Sequence, residues 1–259
     1  MELTDTHCHI HSADYPLDSN DVLNDSIKDG VTKLICVGTD LEDSKLAVSF
    51  SQAKSNVWAS IGIHPHEAKH YNGNNEALDK FKKLAEEKKV IAIGECGLDY
   101  FYNHSDKFDQ KAILEFQINV ALQYDLPMIF HVRDAFDDFW EIFDKYQDIK
   151  GVIHSFTADS EILAQALSRN LYIGLNGIMT FTKNAIQLNA AEKVPIDKLL
   201  LETDAPYLTP VPIRGTICQP KHVRYTAEFL TKLRGDRMEN LAQATTDNAT
   251  KLFKLEGKK

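Results

Sequence analysis

The chain has 259 residues, 43% hydrophobic and 26% charged, which is enough apolar material to offset chain entropy and excludes intrinsic disorder. Lysine and arginine total 29 against 38 aspartates and glutamates, a formal charge of −9. That excludes a broad basic surface, so any phosphate partner has to be held by a local device.

Met1–His9 reads as an opening strand that ends in Asp5-Thr6-His7-Cys8-His9. Strand side chains alternate, so His7 and His9 share a face and Cys8 takes the other. Two imidazoles side by side are a divalent-metal half-site; the alternative is a pair of polar strand-end histidines. Gly30 follows a polar segment with an apolar stripe and suits a helix C-terminus. Lys33–Val37 and Val57–Ile61 read as the next strands, the latter followed by His64 and His66. Ala77, Leu78, Phe81, Leu84 and Ala85 then recur at helical spacing.

The fourth strand, Val90–Ile93, leads into Gly94-Glu95-Cys96-Gly97-Leu98-Asp99-Tyr100. A carboxylate directly after an apolar run is costly unless it is paired with a cationic side chain or bound to a metal. A helix follows, striped by Ala112, Ile113, Phe116, Val120, Ala121 and Tyr124. Met128–Val132 is the fifth strand, with His131 and Arg133 on one face, and Asp134, Asp137 and Asp138 start the next helix, where negative charge suits the dipole. Gly151–His154 is the sixth strand; Ile162, Leu163, Ala166 and Leu167 mark a helix; Leu171–Ile173 is the seventh strand. Leu199–Leu201, the eighth, runs into Glu202-Thr203-Asp204-Ala205-Pro206.

Short apolar strands alternating with amphipathic helices read as βαβ units around a parallel sheet. At this length the expected fold class is α/β, a single-domain (β/α)8 TIM-type barrel over residues 1–259, with the chemistry at the C-terminal ends of the strands. An open doubly wound sheet is the alternative, and no G-x-G-x-x-G fingerprint supports it. Five of the eight strands end in a metal-competent side chain: His7 and His9, Glu95, His131, His154 and Asp204. Each has a bland reading as a turn or core residue; together they need five coincidences. Six ligands suit two divalent ions better than one, with Glu95 as the shared carboxylate.

These stretches resemble the TatD family of metal-dependent deoxyribonucleases, within the wider amidohydrolase-like superfamily. The matching motifs are D-T-H-C-H at Asp5–His9, G-I-H-P-H at Gly62–His66, I-G-E-C-G-L-D-Y at Ile93–Tyr100, H-V-R at His131–Arg133, H-S-F at His154–Phe156, E-T-D-A-P-Y-L at Glu202–Leu208 and N-A-T-K-L-F at Asn248–Phe253. The resemblance implies a TIM-like barrel and phosphodiester hydrolysis of the 3'-5' exonuclease kind. By motif position, His7, His9, Glu95 and Asp204 would hold one divalent cation, and Glu95, His131 and His154 the second. Magnesium, zinc and manganese all suit such ligands. The family commonly reads R-G-x-x-N-x-P after the last strand. Here Cys218 stands where the asparagine is usual, in Arg214–Pro220, which bears on substrate preference more than on metal chemistry.

Two such ions would lower the pKa of a bound water toward neutrality, with Asp204 expected as general base and Glu95 as the shared carboxylate. Arg133 and Arg214 are the expected phosphate-binding cations. His64 is a candidate substrate contact, His66 a weaker one, and Tyr100 a candidate for stacking on a base or sugar. Glu202 is placed to orient a ligand histidine. Cys8 and Cys96 point away from the ligands. The expected partner is DNA, as single strands or strand ends held weakly and in a salt-sensitive way; the Lys221, His222, Arg224 patch reads as a solvated helix start. No membrane partner is expected, since no apolar run nears ~18 residues, and the opening Met1–Asp5 shows no export signal. A cytoplasmic monomer with reduced cysteines is expected. Two other readings stand: a superfamily relative acting on C–N or lactone bonds, and a catalytically idle metal-binding scaffold.

Overall fold

A computed structural model describes residues 1–255; positions 256–259 of the expected domain lie outside the described residues. Eight parallel strands alternate with helices in a (β/α)8 barrel, in sheet order β1 to β8. They are β1 Leu3–Cys8, β2 Val31–Val37, β3 Val57–Ile61, β4 Val90–Asp99, β5 Met128–Arg133, β6 Gly151–Ile153, β7 Tyr172–Leu175 and β8 Leu199–Leu201. Every residue of β1 and β3 is buried; β3 reads as an apolar and small-residue run without strict alternation, whereas β1 buries the polar Thr4, Asp5, Thr6 and His7. No helix among the described residues is long and apolar enough to cross a membrane.

The expected strands agree with these within two residues, except β4, which ends at Asp99 rather than Ile93. The extension is polar and glycine-rich, yet it pairs in register with β5: Cys96 with Phe130, Gly97 with His131 and Asp99 with Arg133. Gly97 makes this possible, because a Cβ there would lie 1.9 Å from the His131 carbonyl oxygen, and its φ of +149° disfavours side chains.

Aspartates start four of the helices. Asp18, Asp40, Asp106 and Asp159 each accept hydrogen bonds from backbone N–H groups of the following turn, satisfying donors with no intrahelical partner. Part of the acidic excess is therefore structural.

The chain forms two compact units, one of Met1–Cys36 with the segment from His154 onward, the other of Val37–Ile153. In the first, β1 pairs with β2 and β7 with β8, and the Thr6 hydroxyl donates to the Leu201 carbonyl at 3.0 Å. The C-terminal helix Met238–Phe253 packs on β1 and β8. Asn248 on that helix donates to the Ile196 and Leu199 carbonyls at 2.8 and 2.9 Å, so the asparagine of the terminal motif is a structural clamp. In the second unit β3, β4, β5 and β6 pair successively. Ile93, Leu98 and Phe130 are fully buried there, each adding roughly 1.5–3 kcal/mol of apolar burial. All four cysteines are buried and free.

Candidate active site

In the first unit the end of β1 is locked to the turn after β8 by backbone bonds. Asp204 N donates to His7 O at 2.8 Å and His9 N to Ala205 O at 2.7 Å. Asp5 lies beneath, fully buried, accepting from Thr203 Oγ1 at 2.6 Å, Thr203 N at 2.9 Å and His7 N at 3.2 Å. Burial pushes the Asp5 carboxyl well above the usual carboxylate range, against the lowering effect of those hydrogen bonds.

On this frame His7 Nε2 and His9 Nε2 stand 3.1 Å apart, and Asp204 Oδ1 lies 3.6 and 3.3 Å from them. Two ligands on one tetrahedral zinc would be about 3.3 Å apart, so the donor types and spacing fit a small divalent cation. The His154 ring stacks on His7 with centroids 3.9 Å apart. Its Nδ1 lies 3.2 Å from Glu202 Oε1, which also accepts from Ser155 N. Gly174 gives that carboxylate its place, since a Cβ there would meet Glu202 Oε2 at 2.4 Å. Burial works to raise the Asp204 pKa, but the His9 hydrogen bond and the neighbouring His154, His7 and His9 outweigh it and hold the carboxyl below its ordinary value. Asp204 is thus ionised at neutral pH, ready to accept a proton or bind a cation.

The second unit carries its own cluster. Glu95, Gly97 and Asp99 share one face of β4, and Glu95 is 5% exposed. Glu95 Oε1 lies 2.8 Å from His131 Nδ1 and 3.5 Å from His64 Nε2. These three ligand atoms fall within 4.8 Å of one another, as do those of His7, His154 and Glu202 in the first unit. His64 is fixed from both sides. Its backbone N donates to Thr39 O at 2.7 Å, and its Nδ1 accepts from His66 N at 3.2 Å, which turns Nε2 toward Glu95. Gln117, on the helix Lys107–Tyr124, clamps the preceding Ile63 through both its N–H and its carbonyl. Burial, helped by His131 and His66, drives the His64 pKa down to about 4 against the pull of Glu95, so the ring is neutral at pH 7, and with Nδ1 accepting, its proton sits on Nε2, facing Glu95.

Asp99 is the residue that sequence reasoning passed over. Its Oδ2 lies 3.1 Å from His131 Nε2 and 3.0 Å from His66 Nε2. Burial works to raise its pKa, but the bonds from His131, the Tyr102 backbone and His66 hold the carboxyl well below the usual range. The signal lay in the strand period: positions 95, 97 and 99 share a face once the strand is allowed to run past Ile93. Asp5 likewise shares parity with His7 and His9. His66 is in the cluster through Asp99.

The first unit therefore brings His7, His9, His154 and Asp204 together, and the second brings Glu95, His131 and His64 together. The remaining candidates have structural partners. The Tyr100 hydroxyl donates to Asp138 at 2.6 Å, and Lys107 sits 3.9 Å over its ring. Arg133 lies over the rings of Phe101 and Tyr102 at 4.0 and 4.8 Å. Arg214 stacks on Phe181 at 3.9 Å and donates to Thr209 O at 2.7 Å. Cys218 is buried, its N donating to Pro206 O at 3.0 Å, and burial pushes its thiol pKa up. The loop Arg214–Pro220 thus turns an apolar group inward at this position. The Lys221 patch is engaged as well: His222 Nδ1 accepts from Gln219 N, Lys221 pairs with Asp25 and Arg224 with Glu228. Cys8 and Cys96 donate to backbone carbonyls of Ile35 and Ile129, on the side of their strands away from the ligands.

The sequence profile of TatD-related DNases matches residues 4–254. A metal-dependent hydrolase of Escherichia coli K12, YcfH, is 39% identical, with 99% of this chain and 97% of that protein covered. A protein of Cronobacter sakazakii named as a 3'-5' ssDNA/RNA exonuclease, TatD, is 34% identical over 95% of both chains. Among solved structures, the TatD homologue YJJV of E. coli K12 superposes with a TM-score of 0.88 at 27% identity, covering 97% of this chain and 98% of that one.

Proposed function

This chain belongs to the family of TatD-related DNases, and from that premise we propose that it cleaves phosphodiester bonds in single-stranded DNA from the 3' end. It is a metal-dependent hydrolase acting on ester bonds. The Cronobacter relative named as a 3'-5' ssDNA/RNA exonuclease supports the finer reading. So does the acidic balance of −9, which favours a local phosphate-binding device over a duplex-binding surface.

The proposed ligands are His7, His9, Glu95 and Asp204 for one cation and Glu95, His131 and His154 for a second, with magnesium, manganese and zinc as the candidate ions. Divalent cations held there would supply positive charge to the phosphate and acidify a water. Asp204, ionised, takes the proton of the attacking water as general base. Glu202, whose Oε1 stands 3.2 Å from His154 Nδ1, would orient that ring, and Asp99 would orient His131 through Nε2. The observation that carries the reading is the convergence of imidazole nitrogens and a carboxylate oxygen at 3.1–3.6 Å around His7, His9 and Asp204. The profile match from 4 to 254 runs through both compact units and supports one catalytic domain. Four free buried cysteines support a reducing, cytoplasmic setting.

The test is cleavage of end-labelled single- and double-stranded oligonucleotides with Mg²⁺, Mn²⁺ and Zn²⁺, wild type beside Glu95→Ala. The expected result is stepwise shortening of the single strand from its 3' end. Glu95→Ala should lose well over 100-fold in rate, beyond the roughly 10–100-fold typical of a residue that only orients a ligand. Full activity in the variant, or cleavage confined to internal duplex sites, contradicts the proposal.

A further inference from the structure

Beyond β4, Phe101 and Tyr102 stand 57% and 51% exposed. Exposed rings side by side on a hydrogen-bonded turn are unusual for a surface with no partner. The turn is pinned from below: Asp99 Oδ1 accepts from Phe101 N and Tyr102 N at 3.0 Å each. Gln110 binds the Asp99 backbone through both its N–H and its carbonyl, and also donates to Ser105 O at 2.8 Å. The two rings meet edge to face at 4.9 Å, and His104 stacks parallel to Tyr102 at 5.8 Å. The Arg133 guanidinium covers both Phe101 and Tyr102. His66, held by Asp99, touches the rings of Tyr102 and His104, so the aromatic group is continuous with the Glu95–His131 cluster.

We infer that Phe101, Tyr102 and His104, with Arg133, form a platform on which bases of a single-stranded nucleic acid stack next to the cleavage site. The inference rests on the phosphodiesterase reading and names what recognises its substrate. Flat, rigid aromatic faces lose little entropy on binding and accept any base. A duplex keeps its base faces covered, so only an unstacked strand can use them. Stacking engages the face of the Arg133 guanidinium, whereas phosphate pairs with its N–H edge, so one side chain serves both the rings and the backbone of the strand. Tyr100, whose hydroxyl and ring are already engaged, is not part of the platform.

The test is fluorescence of 2-aminopurine in a single-stranded deoxyoligonucleotide titrated with the full-length protein, in EDTA and in Ca²⁺. An otherwise identical strand with abasic sites serves as the comparison. Stacking quenches the probe. The expected result is quenching by wild type and by Phe101→Trp, at least about 10-fold weaker binding of the abasic strand, and a similar loss with quenching abolished in the double variant Phe101→Ala, Tyr102→Ala. Both rings are largely exposed, so thermal melting checks that the double variant remains folded. Equal affinity for the base-bearing and abasic strands, or a folded double variant that quenches as wild type does, overturns the platform. Turnover of bis(4-nitrophenyl) phosphate by the wild type is measured alongside. If that substrate is hydrolysed while quenching is absent, the platform fails and the phosphodiesterase reading stands; if it is not hydrolysed with any divalent ion, the functional reading itself fails.

Discussion

Asp99 takes the Nε2 groups of two histidines on one carboxylate oxygen while its other oxygen caps the next turn. Such a carboxylate fixes the tautomer and orientation of a metal-binding imidazole. Asp99→Asn keeps the size but loses the charge. It should weaken divalent-ion affinity about 10–100-fold, read by isothermal titration with Mn²⁺; unchanged affinity would remove Asp99 from the ligand-orienting role. His222 gives a separate pH prediction. Burial, assisted by Lys221, lowers its folded pKa from 6.5 to about 4. Above pH 6.5 both folded and unfolded states hold it neutral. Between 6.5 and 4 the unfolded chain binds the extra proton, so stability falls as pH falls through this window and levels off below it. His222→Gln should lose less stability than wild type between pH 7 and pH 5 in urea unfolding; parallel losses would contradict the assignment.

The elements show which expectations survive contact with packing. β3 and β8 match the sequence reading end to end because both are short apolar or small-residue runs with turn residues close by. β4 runs past its apolar core because Gly97 lets β5 approach and because Glu95 and Asp99 find histidine partners. Periodicity scores such polar residues as loop, so the extension was not legible, whereas Glu95 as a candidate was, from its place after an apolar run. Asp204 was legible for the same reason, and His7 and His9 from strand alternation, which puts them on one face. The commitments of Arg133, Tyr100 and Arg214 to neighbouring side chains and backbone were not, since they depend on loop geometry that has no period. The close approach at Gly97 is testable. Gly97→Ala places a methyl against the His131 carbonyl and should cost about 3 kcal/mol or more, seen as a Tm lower by roughly 5–10 °C in calorimetry; a Tm within 2 °C of wild type would mean that β4 and β5 can separate without penalty.

At the scale of the whole molecule, the sequence carries a net charge of −9 and yet the proposed substrate is a polyanion. Bound cations would supply the positive charge the chain lacks, so their removal should act on both stability and activity. A ligand present at 100 times its Kd stabilises by about 2.7 kcal/mol. Chelation should therefore lower the Tm by several degrees and restoration of Mn²⁺ should recover it. The most direct measurement of the central claim is turnover of bis(4-nitrophenyl) phosphate as metal-free protein is titrated with Mn²⁺. The account predicts activity that rises to a plateau at two equivalents per chain and is lost in Glu95→Ala; activity indifferent to the metal, or unchanged in that variant, would contradict it.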